Sequence, residues 1–318
     1  MKKNESKRKI IFNKYSKQLH RLVELGLYSL DLKHEHTFLC PTCLNQFSET
    51  DLDITKENHL TLEDAPPKSL GGKANTLTCK KCNNEFGHQI DFHLTERLNE
   101  LNIRSFLPNT GAKVIMTHQG IEVQGTVKVD ISGNITITHL EKVNHPEKLK
   151  NYISKTRKND IADLKFPASR VDFKRFEVAL LKTAYILAFE QYGYALILNK
   201  SYDRIRKQLM NPNKDIYPSG YWTKQSVFNE SNTGVHLIRT KGFEGFQAIF
   251  VLKTKTQTTG YGVYLPISEN TINEVIERFK VQEAGFALSY ESYKETDYFS
   301  DDRNLKMCVS FLNKQNEK

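Results

Sequence analysis

The sequence predicts an α+β fold, because strand-like and helix-like segments fall in separate clusters with no repeated βαβ rhythm. Two CxxC pairs, Cys40/Cys43 and Cys79/Cys82, enclose a further 35 residues that must fold between them, which adds a small cysteine-held module near the N-terminus. A long, broadly apolar segment over 172–191 is the third mark of the class, a helix buried among strands. These features divide the chain into a helical lead-in over 1–37, a module over 38–100, and a larger mixed α+β domain over 101–318. The role of that larger domain is open, with nucleic-acid recognition one candidate.

Taken in order, residues 15–30 place Leu19, Leu22, Val23, Leu25, Leu27 and Leu30 at roughly helical intervals, predicting an amphipathic helix that leads into the module. Over 108–140 the period becomes two: Val114-Ile115-Met116, then alternation from Ile121 to Asp130, a turn at Ser132-Gly133-Asn134, and Ile135-Thr136-Ile137-Thr138. That pattern predicts a hairpin or small meander. The most basic stretch follows, with Lys148, Lys150, Lys155, Arg157, Lys158, Lys165, Arg170, Lys174 and Arg175; it reads either as a surface linker or as a strip facing phosphate. The broad apolar face of 172–191 carries Phe176, Val178, Leu180, Leu181, Ala184, Tyr185, Leu187, Ala188 and Phe189, and a second helix is predicted over 202–210, stopped by Asn211-Pro212-Asn213. Strands are predicted at 235–238, 247–252 and 262–265, and a helix at 271–279. Cys308, in Met307-Cys308-Val309-Ser310-Phe311-Leu312, falls in a strand-like apolar run where a buried small hydrophobe is expected.

At 318 residues with 38% hydrophobic and 26% charged side chains, the composition is that of an ordinary globular protein. No run approaches the roughly 18 apolar residues of a membrane span. The N-terminal Met1-Lys2-Lys3-Asn4-Glu5-Ser6-Lys7-Arg8-Lys9 is basic, but only Ile10-Ile11-Phe12 follows before Asn13-Lys14, too little for a signal peptide, so a cytoplasmic location is expected. A net charge of +9 is compatible with two readings. It attracts phosphate-rich partners over about a Debye length, roughly 8–10 Å in physiological salt, or it is a solvated basic surface.

Four of the five cysteines form the two CxxC pairs. Each such turn presents two thiolates from one tight loop, and two turns complete the tetrahedral set that a structural zinc ion prefers. Redox pairs are the alternative, but the βαβ context of such enzymes is missing. Between the pairs, Thr61-Leu62-Glu63 suits a strand that Pro66-Pro67 ends; Gly71-Gly72 turns the chain, Asn75 to Thr78 can return beside the first strand, and the second CxxC opens a helix at Asn83. The expected module is therefore strand, loop, strand and helix.

The run from Glu63-Asp64-Ala65-Pro66-Pro67 through Gly71-Gly72 to Asn75-Thr76-Leu77-Thr78-Cys79-Lys80-Lys81-Cys82-Asn83 resembles the ββα-metal site of HNH nucleases in their four-cysteine form. The resemblance covers about a sixth of the chain and implies a treble-clef-like ββα module with structural zinc on Cys40, Cys43, Cys79 and Cys82 and a catalytic Mg²⁺ or Mn²⁺. It places Glu63 as the acidic metal ligand on the first strand, Asp64 where the family has its general-base histidine, Asn75 as the residue that orients the base, and Asn83 as the helix ligand. Oxygen donors of this kind suit a hard divalent cation. Alternatives stay open residue by residue: Asp64 can be a turn residue and Asn83 a helix cap.

The missing histidine leaves Asp64, an inherently weak base, at that position. His88, five residues past Asn83, is a candidate replacement and metal ligand. His93 is a weaker one, and His59 lies four strand residues, roughly 13 Å, from Glu63. Lys68, Lys73, Lys80 and Lys81 bring four positive charges near the motif and suit contact with a phosphate backbone, although solvated lysines on turns would look the same. The expected function is divalent-metal-dependent hydrolysis of phosphodiester bonds, most plausibly in DNA. The alternative is a catalytically degraded zinc module that only binds nucleic acid. The build, a small nuclease-like module with an idiosyncratic larger domain, is similar to that of bacterial or phage defence and mobile-element nucleases.

Overall fold

The computed structural model describes residues 2–157, 159–281 and 288–316; Met1 and, within the basic stretch, Lys158 lie outside the described residues. The chain packs as two units, the first made of Met1–Thr95, Asp172–Lys253 and Thr258–Lys318, the second of Glu96–Val171 with Thr254–Gln257. Helices and strands segregate as an α+β class requires, and among the described residues no helix is long and apolar enough to cross a membrane.

The first unit opens with helix α1 (Lys2–Glu24), whose buried face is Phe12, Tyr15, Leu19 and Leu22, spaced by three and four. This helix lies earlier than the 15–30 expected from the leucine spacing. The Leu27 N–H bonds the Leu22 carbonyl at 3.0 Å and the Gly26 N–H bonds that of Val23 at 2.9 Å, with Gly26 at φ 66°. That is a Schellman stop, so Leu25, Leu27 and Leu30 extend the apparent period beyond a helix that has already ended.

Two short strands, β1 (Phe38–Leu39) and β2 (Gln46–Phe47), frame the first CxxC turn. Strand β3 (Leu60–Ala65) then pairs antiparallel with β4 (Lys73–Cys79), as the turn residues between them predict. The register runs from Leu60↔Cys79 to Glu63↔Thr76 and resumes at Asp64↔Ala74, leaving Asn75 as the extra residue of a β-bulge. The connection is tight: a Cβ on Gly72 would fall 1.5 Å from the Pro66 carbonyl oxygen. Helix α2 (Lys80–Phe86) starts directly from Cys79. Asn83 is therefore inside the helix and does not open or cap it, because the CxxC turn itself is the helix start. A π-helical turn (Gly87–Asp91) leads into α3 (Phe92–Arg104), which carries the chain into the second unit.

The second unit is a four-stranded antiparallel sheet, β5 (Thr110–His118), β6 (Ile121–Val129), β7 (Ile135–His139) and β8 (Asp163–Lys165), in the order β7-β6-β5-β8. Period two turns Val114, Met116, Val123 and Val127 inward, where helix α4 (Pro146–Lys155) covers them with Leu149 and Tyr152. The basic stretch is thus partly this helix and not a linker. Its helix-spaced apolar pair is hidden among Lys148, Lys150 and Lys155, all of which face solvent.

Returning to the first unit, α5 (Phe173–Tyr192) is capped by Asp172, whose Oδ1 accepts the Arg175 N–H at 3.1 Å. Every residue over 178–186 is buried, as befits a central helix packed against β3 and β4 as well as against a sheet. After α6 (Tyr194–Ile197) and α7 (Asp203–Met210), that sheet is formed by β9 (Trp222–Lys224), β10 (Gly234–Ile238), β11 (Gly245–Lys253), β12 (Thr258–Leu265) and β13 (Tyr290–Ser292) in the antiparallel order β13-β10-β11-β12-β9, with α8 (Ile272–Val281) between its last two strands in sequence. Gln18 is fully buried and fully used: its amide donates to the Tyr192 and Tyr298 carbonyls at 2.9 and 2.6 Å and accepts the Tyr194 N–H at 2.8 Å.

Cys308 lies on helix α9 (Asp302–Asn316), not on the strand its apolar neighbours suggest. Leu305, Val309 and Leu312 are the buried stripe at spacing four and three, whereas Met307 is 62% exposed. A run of adjacent apolar residues here wraps around a helix.

Candidate metal centre and adjoining cleft

The first CxxC turn closes with the Leu44 N–H on the Cys40 carbonyl at 2.8 Å and the Cys40 N–H on Asn45 at 3.0 Å. Tyrosines hold it from outside. The Tyr194 hydroxyl, on α6, bridges the Leu39 N–H and carbonyl at 2.8 and 2.6 Å, and Tyr185, on α5, donates to the Pro41 carbonyl. The ligand atoms of Cys40, Cys43, Cys79 and Cys82 all lie within 4.8 Å of one another, and Cys43 Sγ and Cys79 Sγ are 3.9 Å apart. Four sulfurs at a Zn–S distance of about 2.3 Å require tetrahedral edges of about 3.8 Å, so the cluster fits zinc. Cys40 Sγ also receives the Cys79 N–H at 3.4 Å and lies 3.2 Å from the Thr42 hydroxyl, the kind of donors that orient a coordinating thiolate. Among the described residues this is the one group of three or more His, Cys, Asp or Glu side chains that converges on a point.

Toward the other end of the β3–β4 hairpin is a set of charges that the sequence reading found only in part. Glu63 is buried, its Oε2 accepting from Thr78 Oγ1 at 2.8 Å and its Oε1 lying 2.6 Å from the ammonium of Lys182. That ammonium also lies 2.6 Å from Asp91 Oδ2, above the ring of Phe86. Burial works against the charge on Lys182, but Glu63 and Asp91 outweigh it and raise its pKa above the ordinary lysine value. Two carboxylates share one cation, and the surplus shows on Asp91: burial raises its pKa despite Lys182, and its Oδ1 has no hydrogen-bond partner. Asp64 is half-buried, and burial together with the charge of Glu63 raises its pKa as well.

The remaining sequence candidates are dispersed around this centre. Asn83 lies at its edge, its amide donating to Thr61 Oγ1 and the Leu62 carbonyl, both at 3.0 Å, and so pinning α2 to β3. His88 is exposed on the π-turn. His93 is buried and accepts the Asp172 N–H at 3.0 Å, and His59 is 2.8 Å from the Lys56 carbonyl ahead of β3, so both are satisfied structurally. Lys68, Lys73 and Lys81 are exposed and Lys80 is partly so.

Asn75, exposed at the bulge, donates its amide to Glu190 Oε2 at 3.3 Å. Glu190, near the end of α5, has a buried Oε1 with no partner, and burial pushes its pKa up to about 7. Both residues line a cleft of about 600 Å³, together with Ala65, Gly72, Lys73 and Lys294.

Lys182, Asp91 and Glu190 were not singled out in the sequence. For Lys182 a signal existed, since it is the single charge in the apolar run from Val178 to Phe189. Comparison with known protein families, with curated proteins and with solved structures gives no match for this chain.

Proposed function

We propose that the chain hydrolyses phosphodiester bonds, most plausibly in DNA, at an HNH-type ββα centre scaffolded by zinc. The observation that carries this reading is the hairpin itself. Its Leu60/Cys79 end reaches the four-cysteine cluster, and its bulge sets Asn75 beside the acidic pair Glu63-Asp64. Bulges recur next to active sites because they re-aim a side chain that a regular ladder would fix.

Binding of a divalent cation by Glu63 and Asn83, with His88 as a further ligand, would require Glu63 to leave Lys182 and Thr78 and His88 to turn in from the exposed π-turn; once bound, the cation would stabilise the charge that develops on phosphate and leaving group. Three carboxylates against one buried lysine make a place where added positive charge is favourable. Lys68, Lys73, Lys80 and Lys81 bring cations to the same module and suit a phosphate backbone. The paired state of Glu63, both of whose oxygens are engaged by Lys182 and Thr78, favours the second reading, a zinc module that binds nucleic acid without cutting it.

Supercoiled plasmid incubated with the full chain and Mg²⁺ or Mn²⁺ tests the first reading: nicking is expected and is lost in Glu63→Ala. Asp64→His separates the two, since strong activation means an intact centre short of a base. Salt-sensitive binding with no cleavage by the parent or by Asp64→His, in folded preparations, would leave only the binding reading.

A further inference from the structure

We propose that the sheet of the second unit pairs with a second copy of this chain, strand β7 against strand β7 about a two-fold axis; this pairing does not depend on the phosphodiesterase reading. An outer strand presents unpaired backbone N–H and C=O groups, and proteins protect such strands by keeping them short or by charging them. Three of the outer strands in the two larger sheets follow that rule: β8, β9 and β13 have 3 residues each and carry Asp163 with Lys165, Lys224, and Glu291 respectively. β7 does not. It has 5 residues, Ile135-Thr136-Ile137-Thr138-His139, all exposed, with no carboxylate, lysine, arginine or proline among them. Ile135 and Ile137 lie opposite the buried Val129 and Val127, on the apolar face of the sheet, yet remain 53% and 47% exposed.

The ladder with β6 shows which groups are free. At its two ends the Leu140 N–H bonds the Gln124 carbonyl and the Asp130 N–H bonds the Asn134 carbonyl, both at 3.0 Å. Hydrogen-bonded pairs alternate along an antiparallel ladder, so Thr136 and Thr138 bond back to β6, while Ile135, Ile137 and His139 turn their N–H and C=O groups outward. A two-fold axis through Ile137 sets that residue against its own copy and each Ile135 against a His139, which uses every outward group of the three residues. Any slip along the seam leaves some of them unpaired. In the same register Thr136 meets Thr138 on one face and the half-exposed isoleucines cover one another on the other, cross-strand pairs that stabilise a sheet. A chain of net charge +9 repels its own copy, but this seam brings no like charges together. A nucleic-acid partner would need cations that β7 lacks. Each β7 has one free side, so the pairing closes at two copies.

The test is the mass of the full chain by analytical ultracentrifugation over a range of concentrations. The mass should rise from 36.8 kDa to twice that value and no further, and the amides of Ile135, Ile137 and His139 should exchange more slowly as the dimer fills. Ile137→Lys sets two ammonium groups against each other at the axis and should weaken association by more than ~10-fold. Ile161→Lys, at a side chain that is 88% exposed and off the strand, is the control and should dimerise as the parent does. Thermal unfolding checks that Ile137→Lys folds; if it does not, Ile135→Lys decides in the same way. A monomer at every concentration overturns the pairing, and so does a dimer that persists undiminished in the folded variant. Slow exchange of the β7 amides only when an extended peptide of another sequence is added also overturns it, because the edge would then belong to a foreign strand.

Discussion

Lys182 Nζ lies 2.6 Å from Glu63 Oε1, with only 2% and 3% of the two side chains exposed, so the central helix neutralises the acidic strand of the four-cysteine module from inside the protein. The attraction is strong because water is absent, and the same absence makes each charge costly without the other. Asp91 completes the group, its Oδ2 also 2.6 Å from the ammonium.

Replacing the lysine should therefore expose that cost. Lys182→Met leaves Glu63 and Asp91 buried without a cation, and urea unfolding should show a loss of roughly 3–5 kcal/mol. Adding Glu63→Gln to Lys182→Met should recover part of it. Strict additivity of the two changes would mean that the pair is not coupled.

Zinc should be stoichiometric and structural. One zinc per chain is expected by elemental analysis, and Cys79→Ala or a strong chelator should remove it together with amide-exchange protection across β3 and β4. Retained protection in metal-free protein would show that packing against α1 and α5 suffices to hold the hairpin.

The turn between the two strands has no room for a side chain at Gly72. Gly72→Ala places its Cβ 1.5 Å from the Pro66 carbonyl oxygen, so the backbone must move and stability should fall by more than about 1–3 kcal/mol, the range for ordinary overpacking. Gly87→Ala, where a Cβ meets nothing within 4 Å, is the control and should be close to neutral.

Stability should also depend on pH through Glu190. Its folded pKa of about 7 is above its ordinary value of 4.5, so folding takes up a proton between these limits. The contribution of this group is most favourable at the acid end and falls as pH rises through about 7. Glu190→Gln should therefore stabilise the protein above pH 7 by on the order of 2–3 kcal/mol and make little difference below about pH 4.5. An equal effect at both ends would show that the carboxylate is not the origin.

The parts readable in the sequence are those governed by local rules. Thiolate chemistry and the CxxC turns point to the four-cysteine cluster, Pro66-Pro67 and Gly71-Gly72 to the β3–β4 turn, period two to the β5–β6 hairpin, and the breadth of its apolar face to α5. Local rules also explain the errors. Leu25, Leu27 and Leu30 continue a helical spacing past a glycine stop that only hydrogen bonds reveal, and Met307-Cys308-Val309 looks like a strand because a run of three apolar residues fits either geometry. The sequence by itself thus determined the four-cysteine cluster and the hairpin with its acidic pair. Only the tertiary structure decided that Lys182 and Glu190, from one distant helix, meet Glu63 and Asn75, because the pairing of buried charges depends on which remote segment packs alongside, and no local spacing encodes that.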